Sequence, residues 1–547
     1  ARALPDRGRV VPFEGVRARY RHDPESPATA VSIAAVVPHE RAPDTTAERL
    51  RNLPRNLANA IVNRRLSTLA REENAPFSSG RASVAEGYNL FRTAEIELTA
   101  KPGQWQAALA VAEQEIRRAL EHGFQEAELR EMTANFRNSL EQSVRTAASR
   151  PSGALATGLI SSVVNRNVFT HPTDNLALLG PALDTVTPAD CLAALREVWN
   201  ALGRHVSVSG NTVIEGDGEA AVAAAYAAAR AKPVAPPAAI ADAKFAYTDF
   251  GAPGAIVHRE HIADLGITLV RFANGVRLNL KVTDFEAGRI RLSARIGSGK
   301  LIEPKDQPGL AWLANNTFTA GGLGKHSADE LRRLLAGRTV GVGFGVAADA
   351  FTLSGQTNRD DLLLQLQLMT AQLMDPGYRP EALRLARQGI DQLYRSFAHT
   401  PSGPLNTEVQ ALLASGDHRF GMPPQAALMA LTLEDVRRWL TPELTAGPLE
   451  LAAVGDLDVE ALIAAVAQTF GTLPPRKERP ALDNLRQVRI PAEPFDRTFT
   501  IVTEIPKGQV VLYWPTTDGR DVRIARRLNV LGSILSDRLR LKIRNEL

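Results

Sequence analysis

GLAWLANNTFTAGG, from Gly309 to Gly322, is the stretch on which the reading of the fold turns. It reads as a short helix opened by a glycine and closed by a glycine pair. Its polar side chains include Asn315 and Asn316 beside Trp312, and it holds no imidazole, thiol or carboxylate. Three readings are open: a dead active site, a working site of another kind built on Asn315 and Asn316, or a plain core helix.

Upstream of this helix, ITLVRFANGVRLNLKV reads as a hairpin with Asn274-Gly275 as a type I′ turn, and GRIRLSARIGSG as the next strand. Downstream come a helix from Ser327, two strand-like runs in VGVGFGVAADAFTLSGQT, further helices and a closing strand, PLELAAVGD. An earlier unit has a similar plan. Ala30 to Val37 reads as a strand ended by Pro38. Thr45 and Glu48 suggest a capping box. Leu50, Leu53, Leu57, Ile61, Leu66 and Leu69 recur at helical spacing. Helices follow from Trp105 to about Val198, then the strand HVSVSG. A third unit begins after LPPRKERPALDN, with GQVVLYWP as its strand and a helix running to the end. NRRLSTLAREE (63–73) and SDRLRLKIRNE (536–546) match at Arg65/Arg538, Leu66/Leu539, Arg71/Arg544 and Glu73/Glu546. Repeats of this length are domain duplications. Strands mixed with helix pairs predict an α+β fold of repeated domains, each a mostly antiparallel sheet packed by helices.

The expected boundaries are 1–225 for a first unit, 226–260 for a Pro/Ala-rich linker, 261–480 for a second unit and 481–547 for the start of another. The chain has 547 residues, 44% apolar and 23% charged, with 64 basic and 60 acidic side chains. Interspersed charges with no polybasic block argue against nucleic acid. No run of 18 apolar residues exists, so no membrane-spanning helix is expected. The single cysteine, Cys191, excludes an internal disulfide and a thiolate zinc cluster, and reads as a packed thiol.

FANGVRL, GSG…PGLA, LAGRTVGVGFGVAADAFTLSGQT and RRLSTLAREENAPF, in this order and spacing, resemble the pitrilysin/insulinase-type zinc metallopeptidases, the inverzincins, whose motif is H-x-x-E-H. The resemblance implies four similar α+β domains paired into a chamber that closes over a peptide, with zinc in the first domain. In that register Trp312 stands at the first His, Asn315 at the Glu and Asn316 at the second His. Trp cannot ligate zinc, Asn ligates it poorly, and neither serves as the general base. Asp391 is the one acid in ARQGIDQLYRSF, where the third ligand is expected. HREH at His258–His261 is one residue short of the motif, in strand-like sequence. No metal site is therefore expected in this chain; zinc is expected in the full-length protein, on a catalytic domain or subunit missing upstream of Ala1.

The resemblance also implies an Arg and a Tyr that reach across the chamber to the substrate carbonyl. Arg544 stands at the Arg, and the Tyr would fall just past Leu547. In the earlier copy Arg71 fits the Arg, but Phe77 stands near the Tyr position. The expected function is a zinc-dependent metalloendopeptidase for which this chain supplies non-catalytic, substrate-clamping domains. Its partners would be a peptide substrate and the missing N-terminal catalytic part, its location periplasmic. The alternative is a metal-free peptide-binding or scaffold subunit beside a separate catalytic chain.

Overall fold

The computed structural model describes residues 8–240 and 243–546. Residues 1–7, 241–242 and 547 fall within the expected first unit, linker and last segment; they lie outside the described residues, as do the side chains of residues 545 and 546.

The first unit runs β1 (Gly15–His22), β2 (Thr29–Pro38), α1 (Thr46–Leu69), β3 (Phe77–Gly87), β4 (Phe91–Ala100), α2 (Trp105–His122) and α3 (Glu126–Arg145). It continues with α4 (Ser152–Val164), α5 (Pro172–Thr185), α6 (Pro188–Val198), β5 (Gly203–Gly210) and α7 (Gly218–Arg230). Its sheet has the order β1-β5-β2-β4-β3, antiparallel except for β1 beside β5. Alternation explains the packing: Val31, Ile33 and Ala35 of β2 and Ala94, Ile96 and Leu98 of β4 point to the core. Leu53, Leu57, Ile61 and Leu66 of α1 join them in one core, each contributing about 1.5–3 kcal/mol of transfer free energy. Leu50, on the same run, is 38% exposed. Half of the expected capping box forms. The Thr45 side chain accepts from Glu48 N, but the Glu48 carboxylate turns to Arg51 and Asn52 instead of the Thr45 amide.

The second unit runs β6 (Ile256–Ile262), β7 (Ile267–Phe272), β8 (Arg277–Val282), β9 (Ile290–Ile296), α8 (Leu310–Thr317), α9 (Ala328–Leu334), β10 (Gly343–Val346) and β11 (Phe351–Thr357). Then come α10 (Leu362–Met374), α11 (Pro380–Ala398), α12 (Leu433–Ala446), β12 (Leu449–Gly455) and α13 (Val459–Ala467). The sheet order is β10-β11-β9-β12-β8-β7-β6. From β10 to β8 this repeats the first sheet strand for strand, including the one parallel pair, β8 with β12. Gly210 and Gly455 close β5 and β12 at φ 130° and 137°. A Cβ at Gly210 would lie 2.2 Å from the Ala28 oxygen, and one at Gly455 2.1 Å from the Arg289 oxygen. The two sheets thus share a glycine that sterics demand.

The β7–β8 hairpin forms, but its turn is not type I′. Only Gly275 takes a positive φ, 88°, and its amide bonds to the Phe272 oxygen at 2.9 Å. Asn274 keeps negative φ while its amide nitrogen donates to the carbonyls of Phe470, Gly471 and Leu473 at 3.0 Å each. Its side chain ties the turn to the end of the unit, which the local pattern cannot reveal.

The expected strand GQVVLYWP does not form. Val510 is 90% exposed and Trp514 72%. A strand needs neighbours for its backbone groups, and among the described residues this one has none. The helix α14 (Val522–Leu539) that follows buries no residue.

The two sheet units touch through α1 and α3 on one side and α9 on the other. Arg64 bonds Glu131 Oε1, Asp329 Oδ1 and the Asp329 carbonyl, all at 2.9 Å. Arg332 reaches Ser67 Oγ at 2.7 Å, and Asn135 and Asn138 of α3 bond Gly337 and Thr339. Within the expected linker, Tyr247 is only 8% exposed. Its hydroxyl donates to Asp375 Oδ2 at 2.6 Å and accepts from Lys325 N at 2.9 Å, while Ala246 N donates to His326 Nε2 at 2.9 Å. The segment's end is therefore seated on the second unit.

Candidate functional site

Helix α8 starts from Gly309, whose φ of 98° no side chain takes comfortably. A Cβ there would also press on Leu428 and Pro423. Leu310, Ala311, Leu313, Ala314 and Thr317 form its buried face. Its first amides find an acceptor that sequence reasoning missed. Glu303, 4% exposed, takes Gly309 N at 3.2 Å and Ala311 N at 2.8 Å on Oε1. Burial raises the Glu303 pKa, while those two amide bonds hold it down. Glu303 lies six residues before Gly309, outside the spacing of a local capping motif, so no pattern could have singled it out.

The three positions of interest on α8 are spent on the fold. Trp312 is partly buried against the second core. Asn315 Oδ1 accepts from Val346 N on β10 at 2.8 Å. Asn316 Nδ2 donates to the Trp312 carbonyl, one turn back, at 2.8 Å. Asp391, on α11, accepts from Gln425 Nε2 at 2.7 Å. This donor set does not fit zinc: it offers no imidazole or thiolate, its one carboxylate, Asp391, is bonded to Gln425, and the Asn315 amide oxygen anchors a strand. No step of a reaction through a metal follows from α8. Among the described residues no group of three or more His, Cys, Asp or Glu is placed to hold a metal ion.

The remaining candidates are scattered. His258 and His261 lie on β6, an edge strand, where His261 Nδ1 meets Thr268 Oγ1 at 3.1 Å. The buried Cys191 thiol is pushed up to about 12 by desolvation, which makes it unreactive. Arg544 is exposed, in the helical turn Arg540–Glu546, and forms no hydrogen bond or ion pair among the described residues. Its match in the earlier copy, Arg71, sits 3.8 Å from Asp329 at the contact between the units, and its carbonyl accepts from Arg384. Phe77 is 1% exposed in the first core.

Next to α8, β10 pairs with β11 on one side only. The Gln365 side chain holds the chain before it, bonding Gly341 N at 2.8 Å and Gly341 O at 2.9 Å. An open cleft of 580 Å3 lies beside the chain that leads into β10, lined by Arg291, Arg338, Ser354 and Gly355 of the second unit and Asn138 of the first. The outer side of β10 has no strand partner; its Val346 amide is held by Asn315 and its other backbone groups there remain the chemistry that accepts an added strand.

Comparison with known proteins agrees with this architecture. Residues 430–547 match the family model described as the peptidase M16 inactive domain. The stromal processing peptidase of Oryza sativa subsp. japonica is 22% identical over 491 residues, covering 80% of this chain and 38% of that protein. The probable zinc protease PqqL of Escherichia coli K12 is 24% identical over 304 residues, covering 53% of this chain and 30% of that protein. The chain spans 17% to 38% of the length of the curated relatives it matches. A solved structure of the ferredoxin protease FusC with Arabidopsis ferredoxin superposes with a TM-score of 0.56 at 16% identity, over 87% of this chain and 53% of that one. At that identity the likeness speaks for the fold alone.

Proposed function

We propose that this chain, a relative of the pitrilysin/insulinase-type M16 zinc metallopeptidases, supplies the non-catalytic, substrate-clamping domains of a metalloendopeptidase that hydrolyses peptides in a closed chamber. The observation that carries the reading is α8: a duplicated unit keeps the helix while Trp312, Asn315 and Asn316 serve packing and strand anchoring. Zinc then belongs to a separate catalytic domain or subunit. The division into a second domain (1–225), a linker (226–260), a third domain (261–480) and the start of a fourth (481–547) belongs to the same reading. A bound peptide would add as a strand at β10, whose outer edge is unpaired. Arg544 would reach the substrate carbonyl and stabilise charge developing there. A periplasmic location is part of the proposal, since the Escherichia coli relative is a periplasmic protease. No helix among the described residues is long and apolar enough to cross a membrane.

Elemental analysis for zinc, on this chain and on the intact gene product, tests the reading when paired with hydrolysis of a quenched fluorescent peptide with and without chelator. The expected result is zinc and chelator-sensitive cleavage in the intact product only. There, Arg544→Ala lowers kcat/KM by about 10²-fold, the size expected for one lost charge-stabilising donor. Stoichiometric zinc and cleavage by this chain alone would overturn it. Neither activity in either form would favour the second reading, a metal-free peptide-binding subunit, which the open edge of β10 also supports.

A further inference from the structure

The first unit carries a polar cleft that the proposal above leaves unused. It opens between the N-terminal half of α1 and the loop that joins α4 to α5, with a volume of 350 Å3. Arg41, Arg55, Glu86 and Asn167 are among the residues that line it. A second cleft, of 390 Å3, shares Asp44 and Asn167 with it and extends it along the loop.

The charges around this cleft are matched with one exception. Asp44 receives Arg49 Nη2 at 2.6 Å and the Val168 amide at 2.8 Å. Glu48 takes Arg51 at 3.0 Å. Glu86 lies 3.2 Å from His39 Nε2 and 3.5 Å from Arg92. Glu86, Glu48 and Glu197 lie near enough to Arg55 to favour its charge, but none of them bonds it. Among the described residues its guanidinium makes no hydrogen bond and no ion pair, and its Nε–H is buried without an acceptor. Behind it stands Arg92, 5% exposed, whose Nε is likewise buried and unsatisfied. A half-buried guanidinium with an orphaned Nε–H, and Nη groups that no protein group bonds, is suited to an added acceptor. On the opposite wall, Asn167 spends its Oδ1 on Arg41 Nη2 at 2.8 Å, leaving its amide hydrogens for a ligand.

We propose that this cleft binds an oxyanion, a carboxylate or phosphate group, held by Arg55 from α1 and by the Asn167 amide from the facing loop. A guanidinium suits such a group because its N–H donors form a planar fork that matches two oxygens. The site is independent of α8 and of Arg544.

Isothermal titration calorimetry of the full chain with inorganic phosphate and, separately, with succinate tests it. The expected result is saturable binding of at least one probe, weakened tenfold or more in Arg55→Gln. Arg19→Gln, at an exposed pair with Glu219 on β1, leaves the affinity unchanged. Phosphate alone binding points to a phosphoryl group; succinate binding points to a carboxylate such as a peptide end. No saturable binding of either probe to the unmodified chain overturns the proposal, as does equal affinity in Arg55→Gln. Should that variant fail to fold, hydrogen exchange of the unmodified chain decides. Slowed exchange at residues 165–170 with bound probe supports the site, and unchanged exchange there refutes it.

Discussion

The two sheet units share a strand order and treat their first helix differently. In the first, α1 runs 24 residues and reaches the contact between the units, where Arg64 bonds Asp329. In the second, α8 runs eight residues, is capped by the buried Glu303 and anchors the edge strand through Asn315. The same plan therefore yields a bracing helix in one copy and a compact core helix beside an open edge in the other. The segment 481–546 makes a third point of reference. It repeats the Arg-Leu…Arg spacing of 63–73, yet Arg65 is buried in a two-pronged pair with Glu128 while Arg538 is bare. Identical side chains acquire their roles only when a sheet and a second helix stand opposite them.

The largest effect is expected at the shared glycine. Gly455→Val combines a φ near 137° with a clash against the Arg289 oxygen and should cost more than about 3 kcal/mol by urea denaturation. Gly210→Val should cost a similar amount in the first unit; a loss under about 1 kcal/mol in one alone would break the equivalence of the two sheets. Next is Arg65→Met, which leaves Glu128 buried without its partner and should cost about 3 kcal/mol. Arg538→Met should fall within about 0.5 kcal/mol, because the site is exposed; comparable losses would mean that the two segments are packed alike.

A smaller effect concerns the latch that seats the linker segment on the second unit. Burial lowers the His326 pKa from 6.5; Arg379 and Lys325 act in the same direction, and Glu330 opposes. The folded state thus binds fewer protons than the unfolded one. Stability from this group is complete above pH 6.5 and declines as pH falls below it. Protonation also removes the acceptor for Ala246 N. Protection of the amides of residues 243–250 from hydrogen exchange, taken relative to the intrinsic rate at each pH, should fall on acidification, and should stay flat with pH in His326→Gln. Tyr247→Phe should cost about 1 kcal/mol by losing the Asp375 bond. A similar or smaller loss, about 1 kcal/mol or less, is expected for Asn315→Ala, which strips the Val346 amide of an acceptor at an exposed edge; a larger one would give α8 a greater share in holding β10.

Much of the fold was legible because its signals are local. The alternation in β2, β4 and β9 and the run Leu53, Leu57, Ile61 and Leu66 have the periods of a half-buried strand and an amphipathic helix. The helix expected from Ser327 forms as α9, where both halves of a capping box between Ser327 and Glu330 are present. What escaped is non-local. Glu303 serves amides beyond the capping spacing, Asn274 reaches three carbonyls almost 200 residues away, and Tyr247 leaves a Pro/Ala-rich segment to join a different core. The failure of GQVVLYWP to form a strand is of the same kind, since propensity is local and a strand's hydrogen bonds are not.

The sequence by itself determined the α+β class, the repeated plan and the chemical poverty of the GLAWLANNTFTAGG helix, because composition, period and donor type are properties of residues. The tertiary structure alone decided that Asn315 anchors β10, that Arg71 meets Asp329 across the units, and that the Arg55 guanidinium is left without a hydrogen-bond partner. Those are outcomes of distance and burial, which arise only when segments remote in sequence are brought together.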